Sequence, residues 1–342
     1  MLFLAKKYRA KKRIYFLVLL VLVGACFDFA RSTLEPVDSA GKAVDTLVRI
    51  APNTTTGQVA ILLKQQGLIQ NAQTFKLYTR YQKLDNQIRA GYFVLNPTMS
   101  VEEILHILIH GKIASKGFTI PEGYNLAKIT DTLASKGFIQ EEIFKDLLKQ
   151  GQFQYSFMKE LPAGERRLEG YLFPETYHIG LDSTEKDIIN VMLAGMERQI
   201  KDLQLEEKAQ NMNLSLHQAV TIASMIEREA KVDQDRVLIS SVIHNRLRIG
   251  MRLQIDATVE YALGGHREKI YYKDLEVDSP YNTYKIPGLP PGPIASPGKE
   301  ALLASVTPAQ TDYLYYLAKP DGSHVFSKTL AEHNANKQKY LR

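Results

Sequence analysis

The chain is poor in the residues that build covalent and metal-bound frameworks. Its 342 residues include one cysteine, Cys26, which excludes an intramolecular disulfide and any cysteine-cluster metal site. Tryptophan is absent, so a flat platform for a ligand must come from the 18 tyrosines and 13 phenylalanines. A shortage of hydrophobic residues, the mark of a disordered chain, is not seen. At 45% hydrophobic and 23% charged the composition is that of a globular protein, of a length that allows roughly two to three modest domains.

Acidic residues are missing from the first 13 positions, where Lys6, Lys7, Arg9, Lys11, Lys12 and Arg13 lie. The formal charge of +6 is therefore all N-terminal, and the rest of the chain is balanced. This argues against a nucleic-acid partner, which would need a basic patch on the folded body. The apolar run from Ile14 to Ala30, broken only by Asp28, would span ~25 Å as a helix, near the lower limit for crossing a bilayer. Its basic flank predicts a cytoplasmic N-terminus. The first reading is an uncleaved single-pass anchor in contact with membrane lipid. A cleaved signal peptide is the second, and a lipoprotein signal ending at Cys26 the third. All three put the bulk of the chain on the extracytoplasmic side.

The expected organisation is a basic tail (1–13), an anchor (14–30), a linker (31–45), a small module (46–112), a short βα unit (113–160) and a larger domain (161–342). The fold class expected is α+β. In the small module a strand at Leu47–Ile50, a helix at Thr55–Gln66, a second helix from Asn71 carrying Phe75, Tyr78 and Tyr81 on one side, and a strand at Gly91–Leu95 give the order βααβ. That order matches the LysM glycan-binding module in outline. Ser100 and Glu103 have capping-box spacing before a further helix, which Gly111 ends. His106 and His110 have metal-ligand spacing, but HILIH lacks a zincin's glutamate, and His110 reads more simply as a partner of the helix dipole. An internal echo recurs at an offset of 70: Ile50, Val59, Gly67, Ile69 and Gln70 align with Ile120, Ile129, Gly137, Ile139 and Gln140.

Chemistry concentrates in the second half. Ser215 and Gln218 predict a helix from Leu216, with an apolar stripe of Leu216, Ala219, Val220, Ala223, Ile226 and Ala230. Glu227 falls within that stripe and Glu229 well off its centre. A carboxylate on the core side is costly unless paired or protonated, and one tuned toward neutrality makes a general acid. The bland alternative is a glutamate paired with a buried arginine, Arg246 or Arg252. Gln254, Asp256 and Thr258 alternate as on a strand with one polar face. The Pro/Gly-dense segment Asp278–Gly298 must be a loop, and Tyr281, Asn282, Thr283 and Tyr284 offer the faces and hydrogen-bonding tips of sugar recognition.

These segments resemble the YceG-like family of endolytic murein transglycosylases. The resemblance rests on LEGYLFPETY (168–177), ASMIERE (223–229), HNRL and GMRLQIDATVEYALG (244–264), SPYNTY with GLPPGPIASPG (279–298) and YLYYLAKPDGSHVFSKTLAEHN (313–334). It implies non-hydrolytic cleavage of the MurNAc–GlcNAc β-1,4 bond of peptidoglycan, leaving a 1,6-anhydro-MurNAc end, with Glu227 as acid and then base. No metal or cofactor is implied. Gln254, Asp256, Tyr281, Asn282 and Thr283, with Glu169 and Tyr177, are the expected substrate-binding or supporting residues. The family also suggests association with peptidoglycan synthases. The rivals are a non-catalytic tethered wall-binding protein, a two-carboxylate muramidase using Glu227 with Asp256 or Glu169, and a small-molecule lyase.

Overall fold

A computed structural model describes residues 24, 28, 31–39, 41, 44–112, 114–265, 267 and 270–340. The expected anchor lies almost wholly outside them; among the described residues no helix is long and apolar enough to cross a membrane. The fold is mixed α+β, with helices and, among the described residues, three two-stranded sheets, and it divides into two units: Met1–Lys116 with Gly180–Asp182, and Gly117–Ile179 with Ser183–Arg342.

In the first unit β1 (Thr46–Ile50) and β2 (Gly91–Leu95) pair antiparallel, Val48 opposite Phe93. Alternation sends Val48, Ile50, Phe93 and Leu95 into the core, where they meet Val59 and Leu63 of α1 (Thr56–Gln65), Phe75 of α2 (Ala72–Tyr81) and Ile104 and Leu108 of α3 (Val101–His110). Thr55 with Gln58 and Ser100 with Glu103 close capping boxes. On α2 the inward face is Phe75 and Thr79. Tyr81 is 81% exposed, so the expected Phe75–Tyr78–Tyr81 face is rotated by about a residue. The segment expected as a free linker is tied down in part. Leu34 packs on this core and its carbonyl accepts from the Val101 amide at 2.9 Å, and the Gln70 side chain donates to the carbonyls of Glu35 and Pro36.

The second unit opens with β3 (Ser115–Thr119), α4 (Leu126–Ser135) and α5 (Glu141–Gln150), followed by β4 (Thr176–Gly180), the partner of β3. This is the βααβ order again, and the 70-residue echo is structural. Thr55 and Asn125 are the N-caps, Gly67 and Gly137 both have φ +69°, and the bonds Leu68 N–H to Leu63 and Phe138 N–H to Leu133 are both 2.9 Å. The two copies differ after the second helix, where the short return to β2 is replaced by residues 151–175. The expected βα unit at 113–160 does not stand apart from the larger domain: Ile129, Leu133 and Phe144 lie in the same apolar cluster as Tyr171, Met192 and Val220.

The rest of this unit is α6 (Glu185–Asp202), α7 (Leu205–Asn211), α8 (Leu216–Glu229), α9 (Asp233–Arg248), α10 (Asp256–Ala262), α11 (Lys299–Val306), the antiparallel pair β5 (Tyr315–Ala318) and β6 (His324–Ser327), and α12 (Leu330–Tyr340). Helix α8 starts where Ser215 and Gln218 predict, with both halves of the capping box formed. It is not one-sided. Leu216, Ala219, Val220 and Ala223 belong to the core around Tyr171, while Ile222, Met225 and Ile226 belong to a second core with Ile239, Leu253 and Ile294. The strand expected around Gln254–Thr258 is instead a turn into α10. Gln254 has φ +51°, which breaks an extended run, and the Thr258 hydroxyl folds back onto the Ile255 carbonyl at 2.7 Å.

Candidate active site

Helix α8 carries the chemistry on two opposite sides. One side holds the Pro/Gly loop. His217 Nε2 lies 3.0 Å from the Pro291 carbonyl, Ser224 Oγ accepts from the Ile294 amide at 3.0 Å, and Glu227 Oε2 accepts from the Gly298 amide at 3.0 Å. Glu227 thus ends a row of anchors for residues 291–298. Its other oxygen lies 3.9 Å from the Arg236 guanidinium, and its side chain is 8% exposed. The arginine beside it is Arg236, not the expected Arg246 or Arg252. Burial pushes the Glu227 carboxyl above its usual range; the Gly298 amide opposes this, Glu122 adds to it, and Arg236 and Arg228 oppose it.

Two residues on, and so ~200° round the helix, Glu229 faces the other way. It lines a cavity of about 550 Å³ together with Arg246, Gln254, Asp256 and Tyr284 and with Tyr315, Tyr316, His324 and His333 of the β5–α12 region. The Ala257 amide and the Tyr316 hydroxyl donate to its carboxylate. Burial raises the Glu229 pKa most, the neighbouring Asp256 charge raises it further, the two donors lower it, and Glu260 adds a small rise, leaving it at about 7. A carboxyl group that is half protonated near neutral pH and opens into a cavity can both give and take a proton. Asp256, beside it, is held by the Tyr284 hydroxyl at 2.5 Å.

The β5–β6 part of the lining is fixed from a distance. Asp235 on α9 accepts from both the His324 amide (2.7 Å) and His324 Nδ1 (2.8 Å), tying β6 to α9. His324 stands edge-on to Tyr316. Buried Arg246 donates to the carbonyls of Leu314 and Leu253, both at 2.6 Å, so the residues before β5 and before α10 are joined through one guanidinium.

Of the expected residues, the structure brings Gln254 and Asp256 to the Glu229 cavity. It sets the others inside the fold. Asn282 and Thr283 have no exposure. Asn282 donates to the carbonyls of Leu275 and Val277, and the Thr283 hydroxyl accepts from the Ile255 amide. Tyr281 is buried against Tyr261 and the Arg166 guanidinium. These three hold the loop and present no face to a sugar. Tyr177 donates to the Phe173 carbonyl at 2.7 Å within the core. Glu169 is 4% exposed; it accepts from the Leu126 amide and the Tyr261 hydroxyl, and burial lifts its pKa to about 7. It fastens the start of α4 to α10 and does not line the Glu229 cavity.

Sequence reasoning passed over Glu229 because one apolar stripe was assumed for a helix that has two. It passed over Tyr316 and His324 because nothing local marks them: they reach the site only through the β5–β6 register and the Asp235 clamp.

A model of the YceG-like family matches residues 48–339. The chain belongs to the YceG-like family. It is 37% identical over 333 residues to an endolytic murein transglycosylase of Bacillus subtilis (strain 168), covering 94% of this chain and 91% of that one. It is 32% identical over 355 residues to an endolytic murein transglycosylase of Streptococcus pneumoniae serotype 2 (strain D39 / NCTC 7466), spanning 64% of that relative's length. A crystal structure of a yceG-like protein from Listeria monocytogenes is also similar, with a TM-score of 0.59 and 37% identity over 86% of this chain and all of that one. The YceG-like match takes in both units and every residue of the Glu229 cavity named here.

Proposed function

We propose that this protein is an endolytic peptidoglycan lytic transglycosylase and that Glu229, rather than Glu227, is its acid and base. The observation that carries the assignment is placement: of Glu169, Glu227 and Glu229, whose pKa values burial raises, Glu229 is the one that lines the cavity between α10 and β5, beside Asp256. Protonated Glu229 donates to the oxygen of the MurNAc–GlcNAc β-1,4 bond as that bond breaks. The carboxylate so formed takes the proton of the MurNAc C6 hydroxyl as its oxygen attacks C1, and the strand ends in 1,6-anhydro-MurNAc. The nucleophile is part of the substrate, so one group suffices where other glycosidases use two. The Asp256 charge favours the oxocarbenium-like transition state, and the Tyr284 hydroxyl holds it in place.

The similarity to proteins named endolytic murein transglycosylases supports the substrate class. The basic N-terminus and apolar run support an anchor in the cytoplasmic membrane with both units outside it. The first unit, read as LysM-like, would hold the glycan at its cavity of about 770 Å³, between the loop 51–57 and Lys76 and Arg80 of α2. Cleavage at Glu229 would end strands as wall-building synthases extend them.

Purified peptidoglycan digested with the full chain is expected to yield anhydro-muropeptides by mass spectrometry. A second reading, a hydrolase pairing Glu229 with Asp256, is favoured by their shared cavity; it predicts reducing MurNAc ends, heavier by one water. No cleavage at all would leave the wall-binding and small-molecule-lyase alternatives.

The site also sets the pH profile. The first proton transfer needs protonated Glu229, so activity should fall as pH rises through about 7. Asp256 raises that pKa, so Asp256→Asn is expected to move the alkaline limb to lower pH while also slowing the reaction. Initial rates of anhydro-end release between pH 5 and 9 locate the alkaline limb in wild type and variant, and an unmoved limb would separate Asp256 from Glu229 electrostatically.

A further inference from the structure

We propose that the cavity of about 250 Å³ between the β3–α4 loop and α10 is a second saccharide-binding subsite, holding one sugar of the strand that Glu229 cleaves. This rests on the glycan-cleaving reading of the protein. The cavity is lined by Gly123, Asn125 and Lys128 on the β3–α4 side and by Arg228, Glu260 and Gly265 on the other.

The internal repeat points to it. In the first unit the cavity of about 770 Å³ is walled by the β1–α1 loop, including Asn53, Thr55 and Gly57. Those positions fall at the 70-residue offset onto Gly123, Asn125 and Ala127, and all three line the smaller cavity. Thr55 and Asn125 are the helix N-caps at equivalent places, so the two loops leave their strands and enter their helices in the same way. The opposite wall differs. In the first copy Asp85, Asn86 and Ile88, on the return to β2, close the cavity. In the second copy that return is the longer 151–175 segment, and α10 with Gly264 and Gly265 closes it instead. The duplicated pocket has thus been joined to the catalytic helices.

Its position suits the reaction. Ala257 lines this cavity and also donates its amide to Glu229, and Arg228 lies between the two glutamates of α8. Arg228 Nη2 and Glu260 Oε2 pair at 3.1 Å, bridging α8 to α10 across the floor. Lys128 and Asp131 add one charge of each sign, so the lining is balanced in charge, and Ala127, Tyr261 and Ile294 set apolar surface beside the polar groups, as a sugar ring with polar edges and apolar faces requires. That favours a neutral ligand rich in hydrogen-bonding groups, such as an N-acetylhexosamine, over an anion. The volume lies just below the range usual for larger small-molecule ligands, which fits one sugar ring.

Two substitutions can fill the cavity from opposite walls. A Cβ at Gly265 meets nothing within 4 Å, and Ala127 is exposed on α4. Gly265→Phe and Ala127→Phe, in the full chain, are each expected to raise the half-saturating concentration of soluble glycan strands about tenfold, with kcat held within about twofold. Ala163→Phe, the same bulk at an exposed position outside both cavities, should behave as wild type. A peptide-free GlcNAc oligosaccharide should inhibit wild type and lose potency against both filled variants. Unchanged half-saturation in both variants, with wild-type melting curves, would overturn the proposal. So would inhibition of wild type by free stem peptide that both filled variants lose while keeping inhibition by the oligosaccharide, since the cavity would then hold peptide. If wild type releases neither anhydro nor reducing MurNAc ends, the glycan-cleaving reading fails, and that result is distinct from either.

Discussion

Replacing Glu229 by glutamine is expected to lower strand cleavage by about 10²–10⁴-fold, the usual contribution of a positioned general acid or base. Glutamine keeps the shape and can still accept from the Ala257 amide, so the loss isolates the proton. Glu227→Gln is expected to stay within several-fold of wild type. Its amide oxygen can still accept from Gly298, and what disappears is a charge facing Arg236 at 3.9 Å. The pair is decisive because the residues are two apart on one helix, share the burial of that helix and both have raised pKa values. Release of anhydro-muropeptides, with thermal melting to exclude unfolding, reads both. An inactive, well-folded Glu227→Gln beside an active Glu229→Gln would return the catalytic role to Glu227 and make the Glu229 cavity a bystander.

The largest effect on stability is expected at Gly170. Its φ is +80°, and a Cβ built there would lie 2.4 Å from Pro293 Cβ and 3.2 Å from the Ala295 carbonyl. The LEGY and GPIA segments therefore meet backbone against ring, with no room for a methyl group. Gly170→Ala would combine left-handed backbone strain of about 1–2 kcal/mol with overpacking of about 1–3 kcal/mol, for a total of about 2–5 kcal/mol. The displaced loop is the one that Ser224 and Glu227 hold, so cleavage should fall even below the melting temperature. Denaturant unfolding beside a cleavage assay tests this; a variant with wild-type stability would mean that the loop yields freely.

Glu169 and the tyrosines of the Pro/Gly loop explain a common error in inferring function from residue type. Tyr281, Asn282 and Thr283 have the chemistry of sugar recognition, and the structure uses that chemistry on its own backbone. A loop rich in proline cannot be held by regular backbone pairing, so its side chains tie it to neighbouring segments: Asn282 donates to the carbonyls of Leu275 and Val277, and Thr283 accepts from the Ile255 amide. Glu169 serves α4 and Tyr261 in the same way. Residue type alone cannot separate a group that binds a ligand from one that holds a loop, because both tasks need the same donors and acceptors.

Local signals in the sequence settled local structure. Ser215 with Gln218, Ser100 with Glu103 and Thr55 set the starts of their helices, Gly67 and Gly137 set two stops, and the 70-residue echo marked a duplicated βα unit. These features depend on residues a few positions apart, or on a plain repeat, so they can be read along the chain. The choice between Glu227 and Glu229 could not. A helical wheel distinguishes an inward side from an outward side, and α8 has neither, since one core packs on each side of it. Which carboxylate meets a loop amide and which meets a cavity depends on residues 254–257, 284, 298 and 316. Only the tertiary structure brings these to opposite sides of the same two turns of helix.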